Sequence, residues 1–391
     1  MIHSLTVSNF LSVKEEQTFD FTIAKNAIDR DQSFAKSCVD GIRLPRVISI
    51  YGANASGKTT VLKSLSFLKH FICDSYTYKP DDKLLCKPFL SEETVSEESV
   101  LEVEFCIKEK PTKPSTKYHY VLKIKGGEVN FEALYYFPKG RVRKLFERTL
   151  RSIKAGSDFD LPARDPVRKK VRKNTSVLSV LSQFNHTFSL SVVRAVRWLV
   201  TNVNAGGKVS FDSHNRATKL YHDFPEYLAS LNEFIQWADL GLEEVLLERD
   251  VKDKKYPLFK HTNLINPLEF WEESGGTRGL YLLLPYVFIA LESGGVAVLD
   301  EIDAEIHPLL LPKIINLFQD NIKNPKNAQL IISAHDVTLM GCLQKEEIYF
   351  TEKNDNGATE FYGLKDIKGV RRDDNYYVKY LAGVYGAVPR V

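Results

Sequence analysis

Residues 52–60 read Gly52-Ala53-Asn54-Ala55-Ser56-Gly57-Lys58-Thr59-Thr60 and fill the pattern G-x-x-x-x-G-K-[ST] without a mismatch. This is the spacing of a loop whose backbone N–H groups surround phosphates. Gly52, Asn54, Ala55, Ser56, Gly57 and Thr60 would form the cradle. Lys58 would reach the β- and γ-phosphates of a nucleoside triphosphate, and the Thr59 hydroxyl would hold Mg²⁺. A plain glycine turn has no need of Gly-Lys-Thr. The flanks agree with the loop. Arg46-Val47-Ile48-Ser49-Ile50-Tyr51 is a β-branched run that predicts a buried strand, and Val61, Leu62, Leu65, Leu68 and Phe71 recur at helical spacing. Strand, loop and helix in that order aim the positive helix end at an anion.

Two acids stand at the end of a second apolar strand, Val296-Ala297-Val298-Leu299-Asp300-Glu301. A carboxylate at that strand end sits beside the phosphate loop in a parallel sheet. Asp300 would then hold Mg²⁺ through water, and Glu301 would orient the attacking water and take its proton. One helix earlier, Ser274-Gly275-Gly276-Thr277-Arg278 opens an apolar stretch over 280–291. Small residues at a helix start expose free N–H groups and the positive dipole end. Ile331-Ile332-Ser333-Ala334-His335-Asp336 ends the next strand with a histidine.

With these motifs in this order, the chain resembles the ABC-type ATPases of the OLD/RecF/SMC group. More closely it resembles AAA family ATPases of prokaryotic abortive-infection and anti-phage loci, such as the AbiLi-like and RloA-like ATPases and the ATPase subunit of PARIS. Further carriers are Asn9-Phe10-Leu11-Ser12, Lys87-Pro88-Phe89, and Ile302-Asp303 with Ile306-His307-Pro308. The last is Tyr380-Leu381-Ala382-Gly383-Val384-Tyr385-Gly386-Ala387-Val388-Pro389. The match covers both ends and thins over 150–260. The resemblance implies ATP and Mg²⁺ as cofactors and Glu301, Lys58 and His335 as the catalytic set, with His335 a switch touching the γ-phosphate. It also implies that Ser274, Gly275 and Gly276 close over a nucleotide held by a second copy, in a homodimer or higher oligomer. A separately encoded effector, a nuclease or toxin, is the implied partner. The chain departs from the group in several places. No Q-loop glutamine is evident, and 87–89 stand in its place. The segment after Asp303 is Ala304-Glu305-Ile306 rather than a serine-leucine type. No long coiled coil runs through the chain, and no acidic nuclease cluster follows residue 350.

The elements that must hold these groups predict an α/β chain. Its form is an ABC-type P-loop ATPase head with a parallel core sheet, an antiparallel β-meander and a mostly helical insertion. Short strands at 5–7 and 18–21 form a hairpin, and polar residues 24–44 read as loop. Near-alternating runs at 100–107, 118–124 and 129–137 read as the meander. Leu178, Leu181 and Phe184, then Leu190, Val193, Val196 and Leu199, then Leu228, Leu231, Phe234 and Ile235 suggest helices. Strands near 295–300, 328–335 and 347–350, with a helix at 309–322, make a βαβ series. The expected divisions are 1–150, 151–262 and 263–391.

The 391 residues are 26% charged and 43% apolar, ordinary for a globular chain. No apolar run approaches the ~20 residues of a membrane span, and no signal peptide is evident. A cytoplasmic protein is expected. Cys38, Cys73, Cys86, Cys106 and Cys342 show no C-x-x-C pair and read as reduced thiols without zinc. The net charge is +3, but residues 139–173 hold thirteen Lys/Arg against four Asp/Glu. Arg168, Lys169, Lys170, Arg172 and Lys173 would face DNA, RNA or an acidic partner. Two main functional readings follow. One is an ATP-gated sensor subunit controlling an anti-phage effector, which the terminal motif favours. The other is a RecF/SMC-like DNA-maintenance ATPase that clamps nucleic acid. A third, plainer reading is an assembly module that binds ATP without needing to hydrolyse it.

Overall fold

The computed structural model describes residues 1–29, 32–39, 41–107, 115–208, 214–238, 241–251, 253–304 and 306–389. Ile2–Ser8 (β1) and Gln17–Asp20 (β2) form the N-terminal hairpin, with Leu5 opposite Phe19. Phe34–Lys36 (β3) and Arg43–Pro45 (β4) pair as a small hairpin inside the stretch expected to be loop. Val47–Tyr51 (β5) is buried throughout and leads through the phosphate loop into Lys58–Asp74 (α1). Ser99–Ile107 (β6), Thr116–Lys125 (β7), Glu128–Tyr136 (β8), Arg143–Thr149 (β9) and Ile153–Ala155 (β10) make the meander. Val177–Gln183 (α2), Thr187–Arg197 (α3), His214–Asp223 (α4) and Pro225–Ala238 (α5) supply helices between 151 and 262. The same segment also carries Leu199–Thr201 (β11), Val203–Asn204 (β12), Gly207–Lys208 (β13), Leu242–Arg249 (β14) and Lys255–His261 (β15). Then follow Leu268–Glu269 (β16), Gly275–Ser293 (α6), Val296–Leu299 (β17), Leu311–Gln319 (α7) and Gln329–Ser333 (β18). Ile348–Lys353 (β19), Thr359–Gly363 (β20) and Tyr376–Leu381 (α8) complete the order.

The core sheet has the order β11-β17-β18-β5-β19-β20, and all neighbours are parallel except the β19–β20 hairpin. The second sheet, β10-β9-β8-β7-β6-β1-β2, is antiparallel. The parallel strands are buried on both faces, which explains their unbroken apolar runs. Ile48, Ile50, Val296, Val298 and Ile331 face the antiparallel sheet and α1–α3. Val47, Tyr51, Ala297, Leu299, Leu330 and Ile332 face α4–α7 and the C-terminal residues. One strand period therefore divides two cores. Phe19 on β2 stacks on Phe361 of β20, which pins the two sheets together along one edge.

The stretch 151–262 was expected to be mostly helical, and its strands are the main difference from that expectation. β11 joins the core sheet beside β17, so part of this stretch belongs to the sheet that bears the site. β14, β15 and β16 form a separate antiparallel sheet. One other expectation is corrected. Cys38 and Cys106 form a disulfide beside His3, so the five cysteines are not all free thiols. None of the five residues of the basic run is buried, and three of them are engaged within the chain. Arg168 donates to the carbonyls of Leu161 and Pro162 at 2.6 and 2.7 Å, and also to that of Ile153. Arg172 donates to the carbonyls of Tyr76 and Tyr78, and Lys173 pairs with Glu128. Lys169 and Lys170 alone point outward without a described partner. No helix among the described residues is long and apolar enough to cross a membrane.

Candidate nucleotide site

β5 ends at Tyr51, and the chain turns at once through backbone conformations that constrain it. Gly52 has φ +150° and Gly57 φ +116°, and a Cβ on either would collide with Thr351 or Thr359 of the β19–β20 hairpin. The two glycines are therefore required by close approach, and β19–β20 form the wall behind the loop. Ser56 Oγ lies 2.7 Å from Thr351 Oγ1, and Thr359 Oγ1 donates to the Ser56 carbonyl at 2.8 Å. Ser12 bonds Thr60 Oγ1 at 2.8 Å, so the N-terminal hairpin also buttresses the loop. Residues 87–89, which stand in the place of a Q-loop, dock on the same hairpin. The Lys87 carbonyl accepts from Leu11 N–H, and Phe89 N–H donates to Asn9.

Lys58 Nζ donates to the carbonyls of Gly52 and Ala53 at 2.7 and 3.2 Å, curled into its own loop. Burial pulls its pKa down from the ordinary lysine value, opposed by the charges of Asp300, Glu301 and Asp303. A buried ammonium held against two carbonyls is ready to exchange those partners for phosphate oxygens. Thr59 Oγ1 donates to Asp300 Oδ2 at 2.8 Å. The two residues expected to share Mg²⁺ are thus in contact.

Asp300 is fixed from three sides. Ser333 Oγ donates to its Oδ1, and Asn202 clasps its backbone, accepting from the N–H at 2.8 Å and donating to the carbonyl at 3.1 Å. Glu301 follows with φ +47°, in the left-handed region that non-glycine residues occupy only when held there. What holds it is a bond from its N–H to Ser333 Oγ at 2.8 Å. Lys208 Nζ lies 3.3 Å from both Glu301 Oε2 and its carbonyl, and His335 Nε2 lies 3.9 Å from Oε1. The loop bearing His335 is tied down by Asp303, whose Oδ2 accepts from the N–H groups of His335 and Asp336 at 2.6 and 2.5 Å.

Lys58, Thr59, Asp300, Glu301 and His335 therefore converge. Ser274, Gly275 and Gly276 do not join them. Ser274 caps α6 by accepting from Thr277 N–H at 3.1 Å, and no hydrogen bond among the described residues links 274–276 to the phosphate loop. Gly275 and Ser274 are exposed, and exposed Trp271 beside them lies under the Arg278 guanidinium. Glu305, in the segment after Asp303, lies outside the described residues. Sequence reasoning missed Ser12, Asn202, Lys208, Ser333, Thr351 and Thr359. Ser333 sat in a strand already singled out. Asn202 and Lys208 sat in a stretch read only for helices.

Residues 47–341 match the family described as "AAA domain, putative AbiEii toxin, Type IV TA system", a span well over half of the chain. This chain belongs to that family. The AAA match begins at β5 and takes in the phosphate loop, Asp300, Glu301 and His335, and leaves out β1, β19, β20 and everything after them. No curated protein matches the chain. Among solved structures, the SMC head domain from Thermotoga maritima is 14% identical, covering 93% of this chain and 98% of that one, with a TM-score of 0.45. An SMC head bound to the C-winged helix domain of ScpA is 12% identical over 93% and 97%, with a TM-score of 0.49. An Smc head with an extended coiled coil, bound to the C-terminal domain of ScpA from Pyrococcus furiosus, is 12% identical over 93% and 96%, with a TM-score of 0.47.

Proposed function

We propose that this AAA family member is an ATP-binding and hydrolysing sensor subunit of a prokaryotic anti-phage system, an ATP-gated dimer that controls a separately encoded effector. The observation that carries the reading is the Thr59–Asp300 contact, with Lys58 and Glu301 on either side of it. Four side chains from two strand ends meet where a triphosphate would lie against the loop. The residues fit Mg²⁺–ATP. The loop glycines leave no room for side chains, and Thr59 and Asp300 offer the hard oxygens that Mg²⁺ prefers. When bound, the ion would neutralise charge on the phosphates.

The chain's own residues supply the rest. Lys58 leaves its loop carbonyls for the phosphates. Glu301 accepts a proton from water, and Lys208 and His335 keep its carboxylate turned toward the site. Ser274 and Gly275, both exposed, and the half-buried Gly276 are offered to the nucleotide of a second copy. Contact with the γ-phosphate is then available only to the closed pair, so ATP shifts the population toward closure. The anti-phage setting rests on the terminal motif and on the family description. In this reading the ATPase cycle acts through the effector.

Phosphate release from ATP and Mg²⁺ by purified protein tests the site. Lys58→Ala removes a fixed charge from the transferring group and should lower turnover at least a hundredfold. Turnover that survives this change would remove the site assignment.

A further inference from the structure

The residues after α8 belong to no motif of the site and lie outside the matched family span, yet they touch the phosphate loop. Ala53 N–H donates to the Ala387 carbonyl at 3.1 Å. Ala387 N–H in turn donates to Glu352 Oε2 at 2.9 Å, and Tyr380 OH donates to the same Ala387 carbonyl at 2.9 Å. Tyr362 OH donates to the Tyr385 carbonyl at 2.8 Å, and Tyr380 stacks on Phe350.

We propose that residues 383–389 are a strap that positions the phosphate loop, with Ala387, held by Glu352, setting Ala53 and through it Lys58. This deepens the nucleotide-site reading above and rests on it. The chain of contacts is short. The Ala53 carbonyl accepts from Ser56 N–H and from Lys58 Nζ. The Ala53 N–H, on the other end of the same residue, has the strap as its partner. The Ala53 N–H shares its peptide unit with the Gly52 carbonyl, which accepts from Lys58 Nζ at 2.7 Å, so this one peptide is bonded at both ends and the resting place of Lys58 depends on Ala387.

The strap itself is built for one conformation. Gly386 and Ala387 lie at φ +71° and +57°, in the left-handed region. A Cβ on Gly386 would meet Tyr362 OH at 2.6 Å. Consecutive left-handed residues point both backbone groups of Ala387 inward, one to Glu352 and one to Ala53. A tail that only covered apolar surface would need neither the glycine nor this turn. The terminal motif Gly383-x-x-Gly386-Ala387 thereby acquires a physical reason.

The role is positioning, because Ala387 meets the loop through its backbone carbonyl and Glu352 acts through Ala387. Pre-organisation of the loop serves the bound nucleotide and its transition state alike, so affinity should change and the chemical step should not. Two pairs of full-length variants test this. Ala387→Pro loses the N–H and cannot adopt the positive φ, while Ala387→Gly keeps both. Glu352→Ala loses the acceptor, while Glu352→Gln keeps one. ADP binding by calorimetry, and KM and kcat for ATP, are the readouts. Ala387→Pro and Glu352→Ala should weaken ADP roughly tenfold and raise KM to match, with kcat within about twofold. The rise in melting temperature on adding ADP should shrink for both. Ala387→Gly and Glu352→Gln should behave as wild type. Equal ADP affinity in Glu352→Ala and wild type overturns the inference and leaves the site standing. A fall in kcat at constant KM overturns it too. Wild-type protein that binds neither ADP nor ATP would instead remove the site reading on which the strap depends.

Discussion

Burial alone moves some side chains far from their ordinary chemistry, and Glu347 is the clearest case. It lies at the foot of β19, fully buried, accepting from Gln344 N–H at 2.7 Å and from the Gln319 amide at 3.2 Å. Burial pushes its pKa up to about 8. The folded state therefore holds a proton that the unfolded chain has already released above its ordinary value of 4.5. Stability from this group is present at low pH and is lost as pH rises toward 8. His3 runs the other way. Burial, with the Met1 amine and Lys117, pulls it down to about 4, so its contribution is present above 6.5 and lost on acidification. Glu347→Gln should flatten the alkaline side only. Between pH 5 and 8, wild type should lose roughly 3–5 kcal/mol relative to the variant in denaturant unfolding. Parallel stability curves would mean that Glu347 ionises without cost.

At the scale of elements, one buried ion pair joins the meander to the helices. Glu132 on β8 and Arg148 on β9 lie 3.2 Å apart with almost no exposure. Glu132 also accepts from Tyr120 OH, Ser176 Oγ and Val177 N–H, which ties it to the start of α2. Arg148 donates to the carbonyls of Thr175 and Arg172. Removing one partner strands a buried charge. Glu132→Ala should cost about 3–5 kcal/mol, and Glu132→Leu with Arg148→Met together should recover most of it. The midpoint of urea unfolding reads both. A double variant no better than the single would show that the hydrogen bonds, not the charge, matter.

What the sequence disclosed divides along the same physical lines. β5, β17 and β18 were legible because burial on both faces leaves an apolar run, and the meander because one wet face leaves alternation. The site was legible wherever chemistry demands adjacent residues, as in 52–60 and 300–301. β3, β4 and β11 were not, since three-residue strands carry no period. β14 reads Leu-Glu-Glu-Val-Leu-Leu-Glu-Arg, whose apolar spacing suits a helix, and pairing with β15 overrode it. Asn202 and Lys208 were invisible because they reach the site only through tertiary contacts, and Ala387 was legible as part of a motif but not as a neighbour of the phosphate loop. The basic run was legible only as charge, for a related reason. Composition records the charge of Arg168 and Arg172 but not the carbonyls they satisfy.

On the scale of the whole molecule, the proposed site falls into two groups that no hydrogen bond among the described residues joins. Ser274 opens α6 in the open and is bonded to Thr277, Glu273 and its own turn, while Lys58 and Asp300 gather at the ends of β5 and β17. A chain so built is either a one-sided binder or half of a composite site. The two differ in what mixing does. Ser274→Arg should place bulk against a partner's nucleotide and leave this chain's own loop untouched, so alone it should bind ATP but turn it over poorly. Lys58→Ala alone should do neither. If sites form between copies, an equimolar mixture contains mixed dimers in which a wild-type loop meets a wild-type Ser274. Half the dimers are mixed and each has one intact site, so activity should recover to about a quarter of wild type. Light scattering on Glu301→Gln with ATP should show the same dimer accumulating, since the amide keeps the shape of the carboxylate but cannot take the proton. Mixing that restores nothing, with Glu301→Gln monomeric in ATP, would make the chain a one-sided binder and leave Ser274 as an ordinary helix cap.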